Sequence, residues 1–331
     1  MSASPAALST SAAAPDVRLP AGAALVACVD VGGTKVAVSV VDQRGIRSRL
    51  AEPTAKEGAS DALARQVLRM IDESCRVAQI RREDIAAVGV ASRGPFVLNQ
   101  GCIELATPNI CGGMAGLARG LPNDWRTAAL EAPLRQAFAR VRIDNDGVAA
   151  LEAERRWGAL QGIANCAYAT WRTGIGCGLC VDGRVLRGKN GNAGHAGHMF
   201  VSDNSDALCG CGNVGDVEAL VAGNALPRRF SAHADFASIL IAACAGDTGA
   251  MAIVDDICLT MGRMLYNLIA TLDLQRISLG GSVFWHHRDY LLPRLQSHIS
   301  GKLPALTDAC TLVPAGLREL VGDYAALALV V

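Results

Sequence analysis

At 331 residues, 51% hydrophobic and 19% charged, the chain can bury a sizeable core, and is neither a disordered tail nor a disulfide-stapled miniature. Its 31 basic residues balance 31 acidic ones, so no overall field draws in nucleic acid or an anionic membrane. No apolar run reaches the roughly 18–20 residues that span a bilayer. Twelve cysteines, scattered through apolar runs such as those around Cys28, Cys75, Cys166, Cys180 and Cys258, read as reduced core residues of a cytoplasmic protein of about two domains.

Residues 1–23 are rich in Ala, Ser and Pro, lack the basic start and long apolar centre of a secretory signal, and read as a disordered tail. Order begins near Leu25. The β-branched run 25–31 reads as a strand and 36–42 as its antiparallel partner, joined by Gly32-Gly33-Thr34-Lys35. From Asp61 to Gln79, Leu63, Val67, Met70, Ile71 and Cys75 recur every three or four residues, the stripe of an amphipathic helix. A short buried strand follows over Ile85–Ala91, ending in the loop signal Ser92-Arg93-Gly94-Pro95. The spacing then predicts a short helix over Pro133–Ala139, a strand over Val141–Ile143 and a helix over Gly147–Trp157.

The second half repeats this grammar. Ala167–Trp171 is strand-like, 172–178 is a glycine turn, and Leu179–Leu186 reads as a hairpin turned by Asp182-Gly183. Asp255–Leu274 has helical periodicity, Arg276–Val283 reads as a buried strand running into Gly280-Gly281, and Gly322–Val331 as an apolar C-terminal helix. Strand, glycine turn, strand thus occurs near residue 30 and again near residue 174. Such turns expose backbone N–H groups without side-chain obstruction and suit phosphate oxygens, although each alone is equally a tight hairpin.

The order and company of these motifs are more specific than any one of them. Asp30-x-Gly32-Gly33-Thr34-Lys35, Pro108-Asn109, Asn145-Asp146, Thr173-Gly174-Ile175-Gly176, the stretch Gly191–His198 followed by Cys209–Glu218, and Leu279-Gly280-Gly281 occur in the order found in the ROK family of sugar kinases and repressors, which the chain resembles over about residues 24–331. The resemblance implies two ribonuclease H-like (actin-like ATPase) α/β domains hinged around an active-site cleft. The smaller would span 24–146, with the C-terminal helix 319–331 packing back on it, and the larger 147–318, with a zinc-type loop at 195–218.

By the same resemblance, ATP and Mg2+ bind through Asp30, Gly32, Gly33, Thr34, Lys35, Thr173, Gly174, Gly176, Gly280 and Gly281, and the acceptor is a sugar phosphorylated at a hydroxyl, in the family its 6-hydroxyl. Asp146 is then the general base, its rival reading being an N-cap of the following helix. Lys35 is either a phosphate contact or a solvated turn residue. Asn109, Asn145, His195, His198 and Glu218 are sugar contacts, with an ordinary helix-start acid as the alternative for Glu218.

The chain departs from the family pattern at two points. His195 stands where the family has Glu, and a neutral imidazole offers one donor and one acceptor in place of a charged acceptor, so glucose, N-acetylmannosamine, an amino sugar such as kanosamine and a C7 cyclitol all stay open. The family's structural zinc is held by one His and three Cys; His198, Cys209 and Cys211 match, with Asp216 in the third cysteine position, and the alternatives are a His-Cys-Cys-Asp site or a metal-free loop. The glycine-rich stretch 111–116 reads as a loop at the cleft mouth, and Arg93 as a substrate contact or a surface arginine. A homodimer is implied as well. The family's repressors carry a winged helix-turn-helix ahead of this body, whereas the residues before Leu25 hold a single basic residue, Arg18, so a non-enzymatic sugar sensor is the lesser expectation and nucleic acid is not an expected partner.

Overall fold

The computed structural model describes residues 24–115, 120–203, 207–233 and 235–331. The expected tail over 1–23 lies outside them, as do 116–119, which include the end of the glycine-rich stretch, and 204–206 of the zinc-type loop. In chain order the strands are β1 (Val26–Val31), β2 (Lys35–Asp42), β3 (Gly45–Pro53), β4 (Ala87–Ser92), β5 (Phe96–Asn99), β6 (Cys102–Leu105), β7 (Ala128–Ala129), β8 (Val141–Asn145), β9 (Cys166–Trp171), β10 (Ile175–Val181), β11 (Arg184–Val185), β12 (Arg276–Gly280) and β13 (Thr311–Pro314). They form two five-stranded sheets, ordered β3-β2-β1-β4-β8 and β11-β10-β9-β12-β13, and a small sheet β5-β6-β7.

Both large sheets have the same plan. In the first, β1 runs antiparallel to β2 and parallel to β4, which is parallel to β8; in the second, β9 runs antiparallel to β10 and parallel to β12, which is parallel to β13. The repeated pattern of strand, glycine turn and strand in the sequence is therefore one motif built twice, as the β1–β2 and β9–β10 hairpins.

Strand parity sorts the core. Ala27, Val29 and Val31 pack on one side of the first sheet with Leu63, Val67, Met70 and Ile71 of the helix Ala62–Ala78, whereas Val26 and Cys28 face the opposite side. In the second sheet Ala167, Ala169 and Trp171 face the long helix Thr248–Leu272, and Cys166 and Tyr168 point the other way. These two inward sets meet one shared layer, made of the helix Asp146–Trp157 and the C-terminal helix Val321–Ala328, and contributing Ala149, Leu151, Ala153, Ala325 and Leu327. Burial on both faces explains why β1 and β9 read as continuous apolar runs rather than alternating ones. None of the described helices is long and apolar enough to cross a membrane.

Several boundaries differ from the sequence expectation, each for a local reason. The helix Asp146–Trp157 begins one residue early because Asn145, not Asp146, is its N-cap, the Asn145 side chain accepting from the Gly147 N–H at 2.9 Å. The long helix starts at Thr248 rather than Asp255, since Asp247 caps it by accepting from the Ala250 N–H at 2.9 Å. The short helix expected over Pro133–Ala139 is Glu131–Ala137. β12 stops at Gly280: Gly281, at φ +91°, turns the chain into the short helix Ser282–Trp285. β3 was not foreseen because it is an edge strand with alternating exposed polar residues, and the helix Arg288–Ile299 was hidden by Pro293 within it.

One buried acid ties the shared layer to the second sheet. Glu154, with no exposed surface, accepts from the backbone N–H groups of Ala159 at 2.8 Å, Gly316 at 2.9 Å and Leu317 at 2.8 Å, and from the Ser278 hydroxyl at 3.1 Å. Removing it leaves three backbone donors, Leu317 buried and Ala159 and Gly316 partly buried, without their acceptor, each costing about 1–3 kcal/mol. Glu154→Ala is expected to lose at least about 3 kcal/mol in urea unfolding; a loss below about 1 kcal/mol would show that this carboxylate is not a structural tie.

Candidate active site

Between the two large sheets lie two cavities that meet. The larger, about 470 Å³, is lined on the first-sheet side by Arg93, Gly94, Pro95, Asn109 and Asn145, and on the second-sheet side by Gly174, Gly176, His195, His198 and Glu218. The smaller, about 330 Å³, is lined by Asp30, Tyr168, Gly281, Trp285, Arg318 and Glu319 among others. Asp146, Thr170 and Arg172 line both. All the residues expected to touch a sugar thus share one cavity. Of the residues expected at phosphate, Gly174 and Gly176 line the larger cavity and Asp30 and Gly281 the smaller; Gly32, Gly33, Thr34, Lys35, Thr173 and Gly280 line neither. Thr34, Lys35 and Thr173 lie exposed at the turns, and a Cβ on Gly33 would come within 3.0 Å of Asn109 Cβ, so the first turn backs the cavity wall.

Asp146 occupies the first position of its helix, where the N-terminal field favours a carboxylate. Its Oδ1 accepts from the Gly147 N–H at 2.9 Å and its Oδ2 from Arg172 Nη2 at 2.5 Å. Arg172 opens the second glycine turn, and Asp146 holds its guanidinium in the charged form even more firmly than an ordinary arginine. Burial pushes the Asp30 carboxyl above the usual carboxylate range, with Arg172 opposing that shift. Sequence reading passed over Arg172 as a turn residue; its place directly before Thr173-Gly174-Ile175-Gly176, where a long cation projects from a phosphate-type turn, was the available signal.

The Gly191–His198 stretch is tied across the cleft by Asn192. The Asn192 side chain accepts from the Phe96 N–H at 2.7 Å and donates to the Phe96 carbonyl at 2.7 Å, as a neighbouring strand would. The Asn192 carbonyl lies 3.0 Å from His195 Nδ1. A carbonyl only accepts, so Nδ1 carries the proton and Nε2 is left as an acceptor. That nitrogen abuts Gly94, where a Cβ would come within 2.8 Å of it. Burial lowers His195 below the ordinary imidazole range, which keeps the ring neutral. Glu218, early in the helix Val217–Val221, accepts from the Ile175 N–H at 2.9 Å and so braces the second glycine turn.

His198, Cys209, Cys211 and Asp216 present ligand atoms that all lie within 4.8 Å of one another. His198 Nδ1 lies 3.2 Å from Asp216 Oδ2 and 3.7 Å from Cys209 Sγ, and Cys211 Sγ lies 3.5 Å from Asp216 Oδ2. Asp216 Oδ1 is taken by the Ala219 N–H at 2.7 Å as a helix cap, which turns Oδ2 toward the cluster. The bond from Asp216 raises His198 above its ordinary value, and burial raises the Cys209 thiol.

The stretch after Asn109 forms part of the cavity rim through Met114. Asn123 roots it: its Oδ1 accepts from Gly112 N at 2.8 Å and Trp125 N at 3.1 Å, and its Nδ2 donates to the carbonyls of Lys56 at 2.8 Å and Ile110 at 2.9 Å. Arg93 also lines the cavity, and its guanidinium lies against Gly174, where a Cβ would come within 2.5 Å of Nη2.

The model of the family described as ROK matches residues 26–330. This chain belongs to the ROK family. Over 302 residues it is 30% identical to a glucokinase of Aeropyrum pernix, covering 84% of this chain and 88% of that protein. An N-acetylmannosamine kinase of Salmonella newport is 32% identical over 265 residues, covering 77% and 82% of the two chains. In structure the chain is similar to a ROK hexokinase from Thermus thermophilus, with a TM-score of 0.72, 31% identity, and coverage of 92% of this chain and 97% of that one. The actin-like two-domain α/β fold expected from the sequence is that of this ROK protein.

The tautomer of His195 is directly measurable. Nitrogen-15 spectra of histidine-labelled protein at neutral pH are expected to show a protonated Nδ1 and bare Nε2 for the signal that His195→Gln removes; the opposite tautomer would contradict the Asn192 contact.

Proposed function

We propose that this ROK protein is an ATP-dependent sugar kinase that transfers the γ-phosphoryl group to a hydroxyl, the 6-hydroxyl by family likeness, of a hexose or amino hexose. The observation that carries the reading is the place of Asp146: one carboxylate at a helix N-terminus, lining both a polar cavity of sugar-binding size and the neighbouring cavity beside Gly281. The naming of its relatives as glucokinase and N-acetylmannosamine kinase supports the reaction class.

In this reading the larger cavity takes the sugar and the smaller one the nucleotide. Phosphoryl transfer asks the protein chiefly for positioning and charge neutralisation. Asp146 accepts the proton of the attacking hydroxyl as the new oxygen–phosphorus bond forms. Asn109, Asn145, His195, His198 and Glu218 orient the sugar, and Asn145 does so while capping the helix that carries the base. The glycine turns approach the phosphates with backbone N–H groups, and Thr34 and Thr173 donate hydroxyls when the halves around the cleft close. Asp30 would hold Mg2+ through water, and the ion would neutralise charge on the phosphate oxygens. Closure about the cleft also limits hydrolysis of ATP by water.

His195 keeps the acceptor function of the family glutamate without its charge, because Asn192 fixes its tautomer. The substrate end that it faces is therefore read by a neutral acceptor, which keeps kanosamine-like amino sugars and C7 cyclitols beside glucose and N-acetylmannosamine as acceptors to test. The donor cluster fits zinc. Tetrahedral ligands at about 2.0–2.3 Å from the ion stand roughly 3.3–3.8 Å apart; His198–Asp216, Cys211–Asp216 and Cys209–His198 are 3.2, 3.5 and 3.7 Å apart, and all four ligand atoms lie within 4.8 Å of one another. Bound there, zinc would be a structural ion that steadies the loop carrying His198 and the helix carrying Glu218.

A coupled ADP-release assay over hexoses, amino hexoses and cyclitols is expected to find at least one acceptor, with Asp146→Asn lowering kcat at least about a hundredfold while the protein stays folded; turnover that this change leaves intact would remove the assignment of the base. His195→Glu is expected to change the ratio of kcat/KM between plain and C1- or C2-altered acceptors by about tenfold, and an unchanged ratio takes His195 out of specificity. Elemental analysis of protein purified without added metal is expected to give about one zinc per chain, falling to near zero in Asp216→Ala; no zinc in the parent protein would leave a metal-free loop.

A further inference from the structure

Phosphoryl transfer needs positive charge on the group in flight, and Lys35, the cation of the first glycine turn, lines neither cavity. Of the three residues that line both cavities, Arg172 is the only cation. Its backbone is pinned on two sides: its N–H donates to the Gly174 carbonyl at 3.1 Å, and its own carbonyl accepts from the Gly223 N–H at 2.9 Å. Its side chain, by contrast, is 43% exposed within the cleft, and its tip donates to Asp146 Oδ2. A rigid stem with a part-exposed guanidinium held on an acid is built to change partners.

The present partner also poses a chemical conflict. With Oδ2 occupied by a guanidinium and Oδ1 taking the Gly147 N–H, both Asp146 oxygens are already engaged where an acceptor hydroxyl would have to bind. A nucleotide triphosphate in the smaller cavity brings several anionic oxygens whose geometry suits the planar fork of an arginine better than one shared carboxylate oxygen does. Asp30, the other acid whose charge acts on this guanidinium, lines that same smaller cavity.

Resting on the kinase reading above, we propose that Arg172 is a catalytic residue, whose guanidinium leaves Asp146 for the γ-phosphoryl oxygens when the nucleotide binds, freeing the base and neutralising the group being transferred. The step balances without further reactants. The bond from the acceptor oxygen to the γ-phosphorus forms, the bond from that phosphorus to the β–γ bridging oxygen breaks with its electron pair leaving on ADP, and the hydroxyl proton passes to Asp146. Arg172 keeps its protons throughout. Release of the base is thereby coupled to arrival of the phosphoryl donor.

The test is steady-state kinetics of the full-length protein with Arg172→Ala and Arg172→Lys, using ATP and whichever acceptor the wild type turns over. The Ala variant is expected to lose about 100-fold in kcat with the acceptor KM within about threefold, the Lys variant to lose less, and added guanidinium ion to restore at least about tenfold to the Ala variant while doing nothing for the wild type. A kcat within about threefold of wild type, a loss confined to the acceptor KM, or a folded Ala variant that guanidinium does not rescue would each overturn the inference. If the Ala variant does not fold, the Lys variant decides: unchanged kcat counts against the fork-specific role. A wild type without turnover on any acceptor overturns the kinase reading and this inference with it, whereas an active wild type beside an equally active Arg172→Ala overturns the inference alone.

Discussion

The helix Asp146–Trp157 leaves the first sheet at the end of β8 and lies with its first turn directly on β10 of the second. Backbone meets backbone there. A Cβ on Gly147 would come within 2.7 Å of the Cys177 carbonyl oxygen, and one on Gly178 within 2.3 Å of the Gly147 carbonyl oxygen, so only glycine allows the approach. Farther along the same helix, Glu154 collects donors from β12 and from the turn leading to the C-terminal helix. One helix thus has its start at the cleft, its middle between the sheets and its end bonded to the far sheet, and the position of Asp146 follows from that chain of contacts.

Charge in the cleft is arranged around this point. Asp30, Asp146 and Arg172 interact across the junction of the two cavities, while Arg93 and Glu218 flank Gly174. Each half contributes to each cavity, and Asn192 joins Phe96 across the gap with two hydrogen bonds. A site made from both halves changes shape whenever they move relative to each other, which is the physical basis for expecting closure to accompany binding. The same Asn192 sets the tautomer of His195, so a single residue joins the halves and fixes what the cavity presents to a ligand.

The fold was readable where burial leaves a periodic trace. The run 25–31, the stripe Leu63–Cys75 and the first hairpin appear in the structure within one or two residues of their expected ends, because strands buried on both faces and a helix with one apolar stripe write themselves into residue order, whereas β10 begins at Ile175, inside the expected turn 172–178, because its glycines pair with β9 as strand residues. β3 and the helix around Pro293 were not readable, since an exposed edge strand carries few apolar residues and a proline masks helical periodicity. The long helix begins at Thr248 and not at the expected Asp255 because its cap is Asp247, and Asp255 and Asp256 are exposed side chains within it.

For the site, the sequence alone determined which residue types were available and that the motifs came in ROK order: the glycine turns, Asn145-Asp146, the histidine-cysteine loop and the His195 departure are all visible as letters. Only the tertiary structure decided that Asp216 turns its free oxygen toward His198, that His195 is an acceptor, and that Arg172, 26 residues from Asp146 in sequence, meets it across the cleft. The reason lies in the separation of scales. Periodicity and turn chemistry act over a few neighbouring residues, whereas a side chain's partner, tautomer and exposure are set by segments that the chain brings together from far apart.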